Sequence, residues 1–201
     1  MNSDMTVIGV VLAGGESRRM KQDKGNLPVN GDLTLLHRQF GLLKHLSLDS
    51  VVISRHQKHN TPADLLNHVV SDRNPNLHDG PLAGIHAVAT AYPEATAALI
   101  LPVDLPRMNV ELLGYLLYCG VSRMTTTHYR NEFFPLFMML GQSERDYLAE
   151  QLEVATGNRS VHSLLQFCGA EEIDHAHPDA FTNTNTESEW QAAQPLRILH
   201  E

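Results

Sequence analysis

Residues 7–24 read Val7-Ile8-Gly9-Val10-Val11-Leu12-Ala13-Gly14-Gly15-Glu16-Ser17-Arg18-Arg19-Met20-Lys21-Gln22-Asp23-Lys24. The apolar run that opens this stretch predicts a buried β-strand, and the glycine pair after it predicts a loop whose backbone can approach a ligand closely. The loop also carries four cationic side chains, Arg18, Arg19, Lys21 and Lys24. Backbone N–H groups and positive charges together suit a polyphosphate. This stretch therefore predicts a strand that opens into a polyphosphate-binding loop.

The rest of the chain alternates short apolar runs with longer amphipathic stretches. This alternation predicts a three-layer, Rossmann-like α/β fold with a mostly parallel sheet and helices on both faces. Strands are expected at Val7–Leu12, Val51–Ser54, His68–Ser71, Ala97–Leu101, Ser122–Thr127 and Phe133–Met139. Helices are expected at Leu33–Leu46, Leu82–Ala91, Val110–Tyr118 and Arg145–Leu152.

Length and composition predict a single domain. The chain has 201 residues, 42% of them hydrophobic, which is enough for a substantial core, and we expect one domain over residues 1–201. Two cysteines, Cys119 and Cys168, are too few for a disulfide framework and favour a reducing compartment. No stretch resembles a secretion signal or an apolar membrane span. We expect a cytoplasmic monomer that does not bind membranes.

The distribution of charge argues for a small cationic site on an acidic protein. The net charge of −8 disfavours a protein that grips the nucleic acid backbone, so no nucleic acid partner is expected. Four of the fifteen lysines and arginines lie within residues 18–24, beside the glycine pair. This cluster is either a focused positive spot for an anionic ligand or a solvated loop.

Three chemically distinctive loops follow predicted strands. In parallel α/β sheets, ligands bind outside the carboxyl ends of the strands, where the strand-to-helix loops gather. Gly14-Gly15 follows the first strand, Asp72 follows the third, and Pro102-Val103-Asp104-Leu105-Pro106 follows the fourth. The sequence therefore predicts that these three loops share one edge of the sheet.

Each polar residue of these loops has a functional and a structural interpretation. Asp104, between two prolines, could ligate Mg²⁺ carried in by phosphates, or it could cap the following helix or turn. Lys24 could neutralise a departing pyrophosphate, or it could be an ordinary exposed lysine. Asp72 could accept hydrogen bonds from a base or ribose, or it could simply open a polar loop.

Two familiar phosphate-binding motifs are excluded. A Walker loop closes on Gly-Lys-Ser/Thr, whereas Lys24 is followed by Gly25-Asn26. The dinucleotide fingerprint requires three spaced glycines and an acidic residue that ends the second strand, where this chain has Ser54-Arg55.

A further turn, Gly80-Pro81-Leu82-Ala83-Gly84, indicates either a plain helix start or a glycine that allows close packing or ligand approach.

These motifs together carry a family resemblance over nearly the whole chain. The opening signature, Leu12-Ala13-Gly14-Gly15 with Ser17-Arg18-Arg19-Met20 and Asp23-Lys24, resembles that of nucleotidyltransferases, including cytidylyl and sugar-phosphate enzymes. The downstream elements resemble the molybdenum cofactor guanylyltransferases within that superfamily: Arg55-His56-Gln57, Asp72, Gly80–Gly84, Pro102–Pro106, Phe134-Pro135-Leu136, Gly157–Ser160 and Phe181–Thr186. The Gly-Pro-Leu-Ala-Gly turn and the late Asn-x-Asn-Thr run favour the guanylyl branch.

The resemblance implies a fold, a reaction and a set of site residues. The fold would be that of the nucleotide-diphospho-sugar transferases, and the reaction would be GMP transfer from GTP to the terminal phosphate of molybdopterin, with Mg²⁺ as cofactor. Proteins of molybdenum insertion and molybdoenzyme maturation would be partners. Asn183 and Asn185 would line the molybdopterin side, Asp104 would bind Mg²⁺, and the catalytic residues would be Arg19, Lys24 and Asp104. GTP would contact Leu12, Ala13, Gly14, Gly15, Lys24, Asp72, Gly80 and Asp104.

The chain also departs from the family pattern. Lys21 stands where a glycine is usual, and Asn26 stands where a leucine is common. An asparagine expected near the end of the second strand is missing, and Ser54 could take its place as a polar contact. A cytidylyltransferase, another nucleotidyltransferase of the same fold and a non-catalytic nucleotide-binding module therefore stay open as alternatives.

Overall fold

The computed structural model describes residues 5–15, 22–71, 80–153, 157–184 and 189–191. Within these ranges the strands are β1 (Val7–Leu12), β2 (Pro28–Asn30), β3 (Leu33–Thr34), β4 (Ser50–Ser54), β5 (Val69–Val70), β6 (Ala97–Pro102), β7 (Thr127–Tyr129), β8 (Leu136–Met139) and β9 (Glu171–Ile173). The helices are α1 (Leu35–Lys44), α2 (Gly80–Ala91), α3 (Val110–Arg123), α4 (Gln142–Glu153) and α5 (Val161–Phe167). Short 3-10 helices cover Lys24–Asn26, Ala63–His68 and Pro178–Phe181.

Seven strands form one sheet in the order β5-β4-β1-β6-β8-β7-β9. The β5-β4, β4-β1, β1-β6 and β7-β9 pairs are parallel, and β8 is antiparallel to both of its neighbours. Strands β2 and β3 form a separate antiparallel pair. The predicted mostly parallel sheet is therefore confirmed, with β8 as the reversed strand.

Helices cover both faces of this sheet, as predicted. Successive side chains of β1 point to opposite faces: Val7 and Val11 lie in one core, whereas Ile8 and Val10 lie in the other. The first core is completed by buried leucines of α1 and α3. The second is completed by buried residues of α2, α4 and α5. Because both faces of β1 are covered, a continuous apolar run is the pattern expected for it.

Two of the longer predicted strands have the wrong limits. The expected strand Ser122–Thr127 overlaps α3, which extends to Arg123 because its buried side chains keep helical spacing as far as Gly120. The helix ends where Met124 adopts the left-handed conformation at φ 52°, and β7 begins at Thr127. The expected strand Phe133–Met139 begins only at Leu136, because Pro135 has no N–H to donate to a neighbouring strand.

The remaining differences concern short elements. The expected strand His68–Ser71 contains only the two residues of β5. The strands β2, β3 and β9 and the helix α5 were not predicted, because runs of two to seven residues carry little periodicity. In the part of the chain that the structure describes, no helix combines the length and the apolar character needed to cross a membrane.

Candidate active site

Three neighbouring parallel strands end at the same edge of the sheet. In the register of the sheet, Leu12 of β1 lies opposite Ser54 of β4 on one side and Pro102 of β6 on the other. The loops that follow are tied together by backbone hydrogen bonds, from Ala13 N to the Ser54 carbonyl and from Val103 N to the Leu12 carbonyl, each 2.9 Å long. The glycine loop and the Asp104 loop therefore leave the sheet side by side, as predicted.

The glycine pair lies open at this edge. Gly14 and Gly15 are both exposed, and a Cβ atom built on either would meet no atom of the described residues within 4 Å. Ala13, in contrast, is buried beneath them. The described residues thus leave room at both glycines for a ligand to approach the backbone closely.

An ion pair joins the two loops of the candidate site. Lys24 Nζ lies 3.1 Å from Asp104 Oδ2, and Lys24 is only 9% exposed. The interpretation of Lys24 as an exposed lysine is therefore wrong. Asp104 does not cap the following helix either, because Asn109 caps α3 by accepting a hydrogen bond of 2.9 Å from Leu112 N. A cation and a carboxylate thus meet beside the glycine loop.

Local capping explains how the chain presents Lys24. Asp23 precedes the 3-10 helix Lys24–Asn26 and accepts hydrogen bonds from Gly25 N at 3.0 Å and Asn26 Nδ2 at 3.1 Å. These bonds satisfy a backbone donor at the start of the turn, as a helix cap does. Asp23 therefore fixes the turn that carries Lys24.

A buried arginine lies under this turn; the family resemblance included it only within the Arg55-His56-Gln57 motif and gave it no role in the site. Arg55 directly follows β4 and is 1% exposed. Its guanidinium donates hydrogen bonds to the Ala13 carbonyl and the Asp23 carboxylate, and to the Asn60 carbonyl and Thr61 Oγ1. Burial lowers the pKa of Arg55, and the Asp23 carboxylate opposes that shift, so the side chain stays charged. The sequence signal was an arginine that ends an apolar strand.

The Gly80–Gly84 turn shows both features that its sequence allowed. Gly80 starts α2 with φ 65°, a conformation that glycine adopts at little cost. At Gly84, an added Cβ would lie 2.5 Å from Ser54 Oγ and 3.1 Å from Leu12 Cδ2. Gly84 thus lets α2 pack directly on the ends of β1 and β4. Ser54, the residue considered as a replacement for the missing asparagine, is buried at this contact.

The late polar run returns to the Asp104 loop. Thr184 N donates a hydrogen bond of 3.1 Å to the Asp104 carbonyl, and the preceding Asn183 is exposed. Thr184 itself is fully buried. The structure therefore brings the backbone beside Asn183 to the Asp104 loop. Three of the expected site residues, Arg19, Asp72 and Asn185, lie outside the described residues.

The described part of the site offers few groups for a metal. No group of three or more His, Cys, Asp or Glu side chains suited to a metal ion is present among the described residues. Asp104 contributes one carboxylate, and the Lys24 ammonium already lies against it. This arrangement suits a cation that takes most of its ligands from phosphate and water, as Mg²⁺ usually does, better than a metal held by protein side chains alone.

Fold and site together define an α/β protein with an open glycine loop and a Lys24–Asp104 ion pair at one edge of its sheet, and its family follows from sequence. Residues 9–176 match the family of the MobA-like NTP transferase domain, and the chain belongs to this family of nucleotidyltransferases. It is 32% identical over 196 residues to a molybdenum cofactor guanylyltransferase of Xanthomonas euvesicatoria pv. vesicatoria, a match that covers 96% of this chain and 94% of that protein.

Solved structures confirm the predicted fold class. The molybdopterin-guanine dinucleotide biosynthesis protein A of Archaeoglobus fulgidus superposes with a TM-score of 0.71 at 18% identity, covering 93% of this chain and 96% of the other. The 2-C-methyl-D-erythritol 4-phosphate cytidylyltransferase of Thermus thermophilus gives 0.65 at 15% identity, covering 94% and 98%. Because named guanylyl and cytidylyl proteins share this fold, the fold alone does not select a base.

Proposed function

We propose that this protein transfers GMP from GTP to the terminal phosphate of molybdopterin, which yields the molybdopterin guanine dinucleotide and pyrophosphate. The observation that carries the proposal is the Lys24–Asp104 ion pair beside an open glycine loop at the edge where β1 and β6 end. The named activity of a relative that matches almost end to end supports the choice of guanine nucleotide and of acceptor.

The chain's residues would seat the nucleotide through its phosphates. The open backbone at Gly14 and Gly15 can direct N–H groups at phosphate oxygens without a side chain in the way. Lys24, which is held nearby and nearly buried, would pair with the outer phosphates. Arg19, Asp72 and Gly80 complete the proposed GTP site, with Arg19 as a further cation and Asp72 on the guanosine.

The reaction needs positioning and charge neutralisation more than it needs proton transfer. The attacking phosphate of molybdopterin is already an anion, so no strong general base is required at the site. Catalysis then consists of aligning this anion with the α-phosphorus of GTP and stabilising the charge that develops on pyrophosphate. Lys24 and Arg19 would supply that charge from the protein.

Asp104 would hold the Mg²⁺ that accompanies the triphosphate. Its carboxylate already binds a cationic group, the Lys24 ammonium, at 3.1 Å. A bound Mg²⁺ would polarise the phosphoryl oxygens and neutralise their charge. Lys24 would move from Asp104 to the phosphates when the nucleotide arrives, because the nucleotide is proposed to bind at the same edge of the sheet as Asp104.

The acceptor would lie on the side of Asp104 that faces the late polar run. The hydrogen bond from Thr184 N to the Asp104 carbonyl keeps this run beside the ion pair and leaves Asn183 exposed there. Asn183 and Asn185 would donate and accept hydrogen bonds with molybdopterin. The two substrates would then meet over Asp104.

A competition assay tests this proposal. The purified protein is incubated with molybdopterin, Mg²⁺ and equal concentrations of GTP, CTP, ATP and UTP, and the dinucleotide products are separated and identified by mass. We expect the guanine dinucleotide as the main product, with none formed when Mg²⁺ is chelated. A cytosine product would replace the guanylyl assignment with a cytidylyl one. Nucleotide binding without any product or pyrophosphate would indicate a binding module.

A further inference from the structure

The guanidinium of Arg55 connects the pieces of chain that form the phosphate-binding edge. It donates to the Ala13 carbonyl at 3.2 Å and to the Asp23 carboxylate. On the other side it donates to the Asn60 carbonyl at 2.9 Å and to Thr61 Oγ1 at 3.1 Å. One side chain thus joins the start of the glycine loop, the turn that carries Lys24, and the loop after β4.

The contact with the Lys24 turn is close. A Cβ atom added at Gly25 would lie 2.6 Å from Arg55 Nη1, so the backbone next to Lys24 rests directly on the guanidinium. Asp23, which caps this turn, forms an ion pair with Arg55, and His59 Nδ1 lies 3.3 Å from the same carboxylate oxygen. The position of the turn that carries Lys24 therefore depends on Arg55.

The energetics of a buried guanidinium favour a role in fixing the arrangement of the surrounding loops over a role in stabilising the fold. Desolvating a guanidinium costs several kcal/mol, and a buried ion pair often adds little net stability, although it can fix one arrangement of the chain. Arg55 uses its planar, forked donor set on four different acceptors. A lysine has a single nitrogen and cannot reach groups that lie on opposite sides of the fork.

We propose that Arg55 is a positioning residue for nucleotidyl transfer. Through Asp23 and the Ala13 carbonyl, it holds the Lys24 turn and the glycine loop in the positions that binding of the triphosphate requires. It acts without touching the substrate. This inference rests on the proposed function, because it assigns Lys24 to the outer phosphates. Small displacements of aligned groups are costly, so loss of this support should reduce turnover by about 10²-fold.

The test compares Arg55→Lys with Arg145→Lys. Arg145 is a matched control because it also donates to several backbone carbonyls, those of Ala89, Tyr92, Ala95 and Leu140. These carbonyls lie near the start of β6, at the opposite edge of the sheet. We expect Arg55→Lys to lower kcat by about 10²-fold with GMP affinity nearly unchanged. Arg145→Lys should lower the thermal midpoint and leave kcat unaltered.

A double-mutant cycle tests the route through Asp23. Asp23→Asn alone should reproduce most of the loss seen in Arg55→Lys, and the double variant should lose little more, because residues that act as one unit are not additive. Added guanidinium ion should restore part of the turnover of Arg55→Ala. Additive losses in the cycle, or an Arg55→Lys variant that is less stable but retains wild-type kcat, would overturn the proposal.

A binding measurement separates this inference from the proposed function. In wild-type protein, calorimetry should show a preference for GTP over GMP, and Arg55→Lys should reduce that preference while Arg145→Lys retains it. Wild-type protein that binds GTP but makes no dinucleotide would contradict the proposed function alone. An unchanged GTP-to-GMP preference in Arg55→Lys, with wild-type turnover, would contradict the positioning role alone.

Discussion

Lys24 and Asp104 neutralise each other at 3.1 Å where a triphosphate and its cation are proposed to bind. Each residue comes from a different loop, and Asp23 fixes the local turn on the lysine side. The two side chains are nearly but not fully buried. Their electrostatic interactions are therefore stronger than in water, while a ligand can still reach both charges. At the scale of single residues, the proposed chemistry therefore depends on this pair and on the groups that support it.

Replacing Asp104 tests its assignment to Mg²⁺. Asp104→Asn keeps the size of the side chain and removes its charge, so we expect a folded protein that has lost most of its Mg²⁺-dependent turnover. The expected loss is about 10²–10³-fold, as for removal of one electrostatic stabiliser. Pyrophosphate release measured against Mg²⁺ concentration gives the result, with Asp146→Asn, at an exposed position of α4, as the control. Near-wild-type turnover in Asp104→Asn would remove the metal assignment.

Replacing Lys24 tests its assignment to the outer phosphates. Lys24→Ala should weaken GTP binding more than GMP binding, because GMP lacks the phosphates with which the ammonium is proposed to pair. Calorimetric titration of both nucleotides measures the difference. Lys44→Ala, at an exposed position in the last turn of α1, should leave both affinities unchanged. An equal loss for GTP and GMP would place Lys24 near the α-phosphate or the nucleoside instead.

Sequence alone predicted some site residues and missed others for a physical reason. Gly14, Gly15 and Asp104 were placed correctly at one edge, because a residue that directly follows a parallel strand must lie at the carboxyl end of the sheet. The burial of Arg55 could not be predicted, because it depends on acceptors from Ala13 and Asp23, which only the folded chain brings together.

At the scale of elements, α3 packs on the sheet through a glycine. A Cβ atom added at Gly120 would lie 2.1 Å from Cδ1 of Phe137 in β8, whereas one added at Gly114 of the same helix would meet nothing closer than Leu46 at 3.6 Å. The buried residues of α3 keep their helical spacing past the expected end of the helix. This close contact explains why the helix continues where a strand was expected.

These two glycines give a matched pair of variants. Gly120→Ala should lower the free energy of unfolding by about 1–3 kcal/mol, because the methyl group would overlap the Phe137 ring. Gly114→Ala should raise it by up to about 1 kcal/mol, because alanine loses less backbone entropy in a helix and has room at this position. Urea unfolding of both variants measures the difference. Equal effects would show that α3 does not pack through Gly120 in solution.

At the scale of the whole molecule, the chain builds two cores on either side of one sheet. Tyr129 lies in one core, and the partly buried Cys168 packs against the other. Burial, with a smaller effect from Glu144, raises the pKa of the Cys168 thiol from 9.0 to about 11. Burial also raises the pKa of Tyr129, whose hydroxyl donates to the Leu112 carbonyl at 2.8 Å. Both groups therefore hold their protons longer in the folded protein than in the unfolded chain.

Unfolding measured at alkaline pH should show the effect of the raised pKa of Cys168. Above pH 9 the unfolded thiol releases its proton while the folded thiol retains it, so the unfolded state binds fewer protons and the free energy of unfolding falls as pH rises toward about 11. Urea unfolding between pH 8 and pH 11 should therefore show that the free energy of unfolding declines less steeply with pH for Cys168→Ala than for wild type. Identical slopes would indicate that Cys168 ionises equally easily in both states.

The large-scale pattern was the most predictable part of the fold, since both faces of β1 and β6 are covered by helices and their sequences are correspondingly apolar throughout. The short strands at the far edge, β7 and β9, were misplaced or missed because their position is set by pairing with each other and with β8. The catalytic proposal depends on the well-predicted half of the sheet, where β4, β1 and β6 end together.

Transfer of labelled phosphorus tests the central claim most directly. The protein is incubated with Mg²⁺, molybdopterin and GTP labelled at either the α- or the γ-phosphorus, and the products are separated by chromatography. The account predicts that the α label enters the guanine dinucleotide and that the γ label leaves as pyrophosphate, in equal amounts. Appearance of the γ label as inorganic phosphate with GDP, or GTP binding with no α label on molybdopterin, would contradict it.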